Sequence, residues 1–291
     1  MVVIDPYISF VQNNYNLIRT GRRITIDSIS QIETDFTNPL LTTSPIYYSA
    51  YEANIMRKLY INDSYLKSFE ARVEEVTDGK FAVLEKTVFY PNSGGQPHDT
   101  GVFVRDGETF PVVYVGLFDG KISHELGREG LVSGDEVTGT IDWDRRYLFM
   151  KSHTACHLLS AVIFRETGAM ITGNQIGEDR SRVDFSLEEF DRSELAEYVD
   201  DVNAIIKEDR PVKTAVLPRE EAMKIPDLVR LAKEVPDREE IRIVEVEGID
   251  LQACGGTHVR RTGEIKGIKM LKAENKGKSN RRVYFNVLDG D

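Results

Sequence analysis

The sequence predicts an α+β protein in which an antiparallel β unit, a small barrel or sandwich, precedes a unit that mixes helices with strands. Three observations carry this expectation. Between residues 70 and 141, short β-branched runs are cut by Asp78-Gly79, Asp106-Gly107 and Asp119-Gly120, and Asp-Gly between such runs signals a two-residue hairpin turn. No helix-period segment interrupts that half. After Asp144 the pattern changes to amphipathic helices alternating with further strands.

Taken in order, the β runs are "ARVEEV" (71–76), "KFAVLEKTVFY" (80–90), "TGVFV" (100–104), "PVVYVGLF" (111–118) and "DEVTGTI" (135–141). A helix follows, because Leu148, Phe149, Leu158, Leu159, Val162 and Ile163 are apolar and neither proline nor glycine occurs until Gly168. Residues 170–187 form a glycine-containing hairpin. A second helix carries Leu195, Tyr198, Val199, Val202, Ile205 and Ile206 as one apolar stripe, and Pro211 closes it. Then come a strand at 212–217, a helix around 219–224, a strand at 241–246, the loop "CGGTH" (254–258) and two final strands, 264–271 and 281–288. The sheet of this second unit is expected to bring the 254–258 loop back against the first helix.

That loop poses a chemical question. Cys254 and His258 supply two metal ligands at i, i+4, whereas a stable zinc site takes four in a tetrahedron. His153 and His157, also at i, i+4, fall on one face of the first helix and complete the set. His153, His157, Cys254 and His258 are therefore the expected ligands of one zinc per chain. A thermolysin-type site is excluded, since Thr154 stands where that motif needs a glutamate base. Cys156 points to another side of the helix and reads as a small core residue.

Composition bounds the partners. Two cysteines, used as above, leave no disulfide framework, so a reducing cytoplasmic setting is expected; neither a signal peptide nor a membrane span is apparent. The formal charge is −11, yet Val259 to Arg282 holds nine basic residues against Glu264 and Glu274, a local charge of +7. A basic strip beside a metal site on an acidic protein suits a phosphate backbone brought to an active site. Its lysines are Lys266, Lys269, Lys272, Lys276 and Lys278.

Four motifs together, "PNSGGQPHDTG" (91–101), "HTACHLL" (153–159), "TGNQIGEDRSRVDFSL" (172–187) and "DLQACGGTHV" (250–259), resemble in order and spacing the AlaX proteins, free-standing relatives of the alanyl-tRNA synthetase editing domain. The likeness runs from about Met56 to Leu288 and leaves residues 1–55 as an extension of unknown role. It implies a β-barrel domain (56–145), an α+β editing domain shared with threonyl-tRNA synthetases (146–291), and zinc at the four ligands named above. The SGGQ motif is similar to that of the longer AlaX class, which puts Ser93, Gly94, Gly95, Gln96 and Asp99 near the substrate. Aminoacylation motifs and an ATP-binding loop are absent, so the resemblance implies removal of amino acids from tRNA and not their attachment.

The implied substrates are Ser-tRNA(Ala) and Gly-tRNA(Ala). A pocket built for alanine gains only about 1–3 kcal/mol from one methyl group, so a second, hydrolytic sieve is the physical remedy. Zinc with an open position would activate water or hold the substrate amine, while a closed four-ligand site would act as scaffold. In the second case a water would be positioned by Thr172, Asn174, Gln175 and Gln96. Two other readings use the same residues: a zinc hydrolase of small esters or amides, and a non-catalytic tRNA-binding module with structural zinc. The basic strip argues against the first and the retained polar side chains against the second.

Overall fold

A computed structural model describes residues 57–188, 192–229 and 239–288, so the extension at 1–55 lies outside the described residues. Six strands, β1 (Ser68–Thr77), β2 (Phe81–Leu84), β3 (Gly101–Arg105), β4 (Glu108–Phe118), β5 (Lys121–Leu126) and β6 (Glu136–Ile141), close into a barrel in the spatial order β1-β2-β5-β4-β3-β6. Every pairing is antiparallel. The barrel alternative, and not the sandwich, is the one adopted. The three Asp-Gly pairs are the turns of hairpins β1/β2, β3/β4 and β4/β5, with φ between 48° and 84° at all six residues. Asp tolerates and Gly favours that left-handed region, which a type I′ turn requires at both central positions. Phe69, Phe89, Phe103, Phe110 and Leu126 fill the interior.

Two features of this half differ from expectation. The run 80–90 is strand only to Leu84, because Thr87 leaves the sheet to exchange backbone hydrogen bonds with Arg57 and Leu59 (2.8 and 3.0 Å). The segment "KISHEL", too polar to read as a strand, forms β5 and buries His124.

The second unit is built on α1, the long helix Trp143–Thr167. The Asp142 side chain accepts from the Arg145 N–H at its start, and Gly168, with φ 72°, ends it. Helix α2 (Arg192–Lys207) and a four-stranded sheet pack against it; strands β7 (Ile171–Gln175), β8 (Ser181–Phe185), β12 (Ile268–Asn275) and β13 (Arg281–Val287) lie in the order β12-β13-β8-β7. A separate three-stranded sheet, β11-β10-β9, uses β9 (Val212–Pro218), β10 (Glu240–Val246) and the unforeseen β11 (Asp250–Ala253). Two sheets thus replace the single one expected.

The expected strand 264–271 is also divided. Thr262–Ile265 is a 3-10 turn and the strand begins at Ile268. Glu264 causes the winding: its carboxylate accepts the backbone N–H groups of Arg260 and Arg261 (both 3.0 Å) and the hydroxyls of Tyr65 (2.5 Å) and Tyr147 (2.8 Å). Trp143 packs against the cores of both units. Arg146, one turn on, is fully buried in an ion pair with Asp99, which is also fully buried.

Candidate metal centre and adjoining cleft

α1 brings His153 and His157 to one face, and the turn after β11 carries Cys254 and His258 against it. The four ligand atoms lie within 4.8 Å of one another. Cys254 Sγ is 3.5 Å from His153 Nε2 and 3.3 Å from His258 Nε2. Zinc bonded to nitrogen and sulfur at ordinary lengths separates its ligands by about 3.4–3.8 Å in a tetrahedron, so the quartet fits that ion with only a small contraction.

Each imidazole is fixed through its other nitrogen. His153 Nδ1 lies 2.8 Å from Gln96 Oε1, and His157 Nδ1 lies 2.9 Å from Asp250 Oδ2. His258 Nδ1 lies 3.1 Å from the Thr154 hydroxyl, whose own proton goes to the Met150 carbonyl (3.0 Å). With each Nδ1 facing a partner, Nε2 is the atom that each ring offers to a metal. Burial works to raise the Cys254 thiol, but the facing His153 and His258 outweigh it and hold the group well below the ordinary thiol range. Burial pulls His157 down, yet Asp250 and Cys254 bring it up to about 10. Burial and His153 push His258 well down. A thiolate with neighbouring imidazoles is the chemistry of a soft-metal site.

The 254–258 loop is braced by Arg242, whose Nη1 donates to the carbonyls of Cys254 (2.9 Å) and Gly256 (2.8 Å). Gly256 passes so close to the His153 ring that any Cβ would collide with it. Sequence reasoning missed Asp250, Thr154 and Arg242 as supports. Their partners lie outside local periodicity: His157 is 93 residues from Asp250, and His258 is 104 from Thr154.

The SGGQ motif is a tight turn, with Ser93 and Gln96 exchanging backbone hydrogen bonds (3.1 and 2.9 Å) and Gly94 and Gly95 at φ 59° and 81°. It docks on β7: Ile176 N–H donates to the Gly95 carbonyl (2.8 Å), and the Asn174 amide donates to the Gly94 carbonyl (3.1 Å). A cavity of about 310 Å³ opens there, lined by Asn92, Ser93, Gly94, Gly95, Pro97, Gln175 and Ile176.

The remaining expected site residues are dispersed. Gln96 is fully buried, accepting the Thr257 N–H (3.1 Å) and donating to the Thr257 hydroxyl (2.8 Å), so it joins the turn to the metal loop and has no face on the cavity. Asp99 does not line the cavity either: Arg146 and the Tyr90 N–H (2.6 Å) take its carboxylate. Thr172 donates to Asn280 (2.9 Å). All five lysines of the strip are exposed. Lys272 and Lys276 share Glu274 (2.6 and 2.8 Å).

Comparison with known proteins follows the same lines. The family model for the threonyl and alanyl tRNA synthetase second additional domain matches residues 241–284, and that for class II (A) tRNA synthetases matches residues 21–145, reaching back into the extension. The alanyl-tRNA editing protein AlaX-M of Methanosarcina acetivorans is 56% identical over 241 residues, covering 79% of this chain and 98% of that protein. AlaX-M of Saccharolobus solfataricus is 46% identical over 234 residues, with the same coverage. The alanine–tRNA ligase of Pyrobaculum aerophilum is 40% identical over 225 residues, which amount to 75% of this chain and 25% of the ligase. A barrel joined to an α+β unit that carries the His–Cys quartet, together with these relatives, marks a protein of the synthetase-editing class. Within that class, the chain belongs to the AlaX-M family of alanyl-tRNA editing proteins. No helix among the described residues is long and apolar enough to cross a membrane.

Proposed function

We propose that this chain is a trans-editing aminoacyl-tRNA deacylase of the cytoplasm that hydrolyses the ester joining Ser or Gly to tRNA(Ala). The observation that carries the reading is the arrangement of three imidazoles and one thiolate, every Nδ1 engaged, linked through the Gln96–His153 hydrogen bond to the turn whose glycines line a cavity. The division into extension (1–55), barrel (56–145) and zinc-binding domain (146–291) belongs to the same proposal.

His153, His157, Cys254 and His258 are the residues that would hold one zinc per chain. When bound, zinc would supply a Lewis acid, or a rigid scaffold for the loop if all four ligands stay in place. The chain's own residues do the rest. Gly94 and Gly95 let the backbone approach the terminal ribose and the amino acid closely. Gln175 lines the cavity and its Oε1 accepts from Arg182 Nε (3.2 Å), so its amide N–H groups are the donors it could offer to an ester oxygen as charge builds there. Asn174 sets the position of the SGGQ turn. Thr172 does not line the cavity and its hydroxyl is engaged by Asn280, so it ranks after Gln175 as a water-orienting group. The strip of five lysines attracts the tRNA backbone.

The test is deacylation of Ser-, Gly- and Ala-charged tRNA(Ala) by zinc-loaded protein. Rapid loss of Ser and Gly with slow loss of Ala is expected, and His157→Ala should abolish it together with the bound zinc. Protein that carries zinc and hydrolyses none of the three would overturn the reading.

A further inference from the structure

The register of the four-stranded sheet sets out two rows across its outer face. Gln175, Arg182, Tyr284 and Lys272 form one; Gly173, Asp184, Arg282 and Glu274 form the next. The inner face, with Val183, Phe185, Val283 and Phe285, belongs to the core. Four cations, Arg180, Arg182, Arg282 and Lys272, stand on this face against two carboxylates, Asp184 and Glu274, an excess of two positive charges on a protein of net charge −11; Glu274 takes Lys272 at 2.6 Å. Arg282 grips Asp184 with two nitrogens (2.7 and 2.8 Å), and Arg182 adds a third contact (2.7 Å). That single carboxylate cannot neutralise both guanidinium groups. Arg180 has no carboxylate partner among the described residues; its guanidinium lies 4.9 Å from the Tyr284 ring centre. Lys272 lies 4.6 Å from the same ring.

We propose that this face, with Arg180, Arg182, Arg282 and Lys272 arrayed over Tyr284, docks the phosphodiester backbone of the RNA strand whose 3′ end enters the cavity at Gln175. The inference rests on the editing reading and adds the path of the substrate. Three observations agree on it. The row starts at a cavity-lining residue and runs across three inter-strand spacings, roughly 14 Å, a length suited to a short stretch of strand. Tyr284 is almost wholly buried and serves as an apolar pad that holds cations upright, so the face reads charge and not bases. Gly173 permits the Asp184 carboxylate to sit under the row, 3.2 Å from where a Cβ would stand. Asp184 orders Arg182 and Arg282 and Glu274 takes Lys272, so that two positive charges remain in excess on the face.

The strip of lysines then divides by function. Lys272 stands in the row, whereas Lys266 precedes β12 and lies outside it.

The experiment is binding of uncharged tRNA(Ala), followed by fluorescence anisotropy between 50 and 200 mM NaCl. Arg180→Gln and Lys272→Gln are exposed changes that leave Asp184 and Gln175 paired. Each should reduce the log–log salt slope by about 0.7–0.9, and the double variant by about twice that, with a matching rise in the KM for deacylation. Lys272→Arg should restore the parent slope. Lys80→Gln, in an exposed barrel turn, should leave slope and KM at parent values. Should the double variant keep the parent affinity and slope, or should Lys80→Gln lose as much, the docking face is wrong, even if the parent still deacylates. If the parent binds with these slopes but hydrolyses nothing, the editing reading falls and the docking face stands.

Discussion

Gln96 of the barrel and His153 of helix α1, 57 residues apart, meet at 2.8 Å between Oε1 and Nδ1. The bond fixes which nitrogen of His153 is free for a metal. Gln96→Leu keeps the volume but removes that acceptor, and loss of such a support lowers metal affinity about 10–100-fold. Competition with a coloured chelator should report a drop of that size. An unchanged affinity would mean that the contact holds the loop alone.

Asp99 and Arg146 are both wholly buried. Asp99→Leu would leave an uncompensated guanidinium inside the protein, at a cost of about 3–5 kcal/mol. Urea unfolding should show that loss, while the folded fraction keeps its zinc. If instead stability holds and only deacylation suffers, Asp99 touches the substrate after all.

The two glycines of the SGGQ turn separate by the space around them. A Cβ on Gly95 would stand 2.7 Å from the Asn174 amide nitrogen, so Gly95→Leu must displace the turn from β7 as well as narrow the cavity. At Gly94 the nearest atom would be the Tyr90 hydroxyl at 3.9 Å, and φ is 59°, where asparagine is tolerated. Gly94→Asn is therefore the informative variant. Zinc content and melting temperature should stay near parent values while hydrolysis of Ser-tRNA(Ala) falls at least tenfold. Full activity in Gly94→Asn would remove the cavity from the substrate's path.

His124 sets a pH limit on the barrel. Its Nδ1 faces the Ala82 carbonyl (3.0 Å) and its Nε2 the Thr87 hydroxyl (3.0 Å), which suits the neutral ring, and burial pushes its pKa down to about 4. In the unfolded chain the ring takes up a proton below about 6.5. Stability is thus complete above that pH and falls as the pH drops from 6.5 toward 4, by up to about 3 kcal/mol. Urea midpoints at pH 7 and 4.5 should differ more in the parent than in His124→Gln, which has no such proton to gain. Equal differences would show that carboxylates alone govern the acid limit.

What could be read in advance had a local signature. Asp-Gly pairs announce their turns by backbone preference, and His153 with His157, like Cys254 with His258, announces a shared face by spacing four. The elements that escaped are defined by distant partners. β5 is a strand because Ile122, His124 and Leu126 turn inward, although its other residues are polar. The run 264–271 breaks because Glu264 collects donors from Tyr65, 199 residues away, as well as from Arg260 and Arg261. Gln96 and Asp99, placed near substrate by motif, are spent inside the protein on Thr257, His153 and Arg146. A motif marks which residues act together but not which atom each one faces.

Arg146 and His153 stand seven residues apart on α1, two turns of one helix, so a single rod is pinned at one point into the barrel and at the next into the metal loop. Amide hydrogens around Asp99 and those of residues 254–258 should therefore exchange with solvent in the same opening event. An ion held by the quartet would then be the rivet through which two folding units share one cooperative transition, and its removal should loosen the barrel as a remote effect.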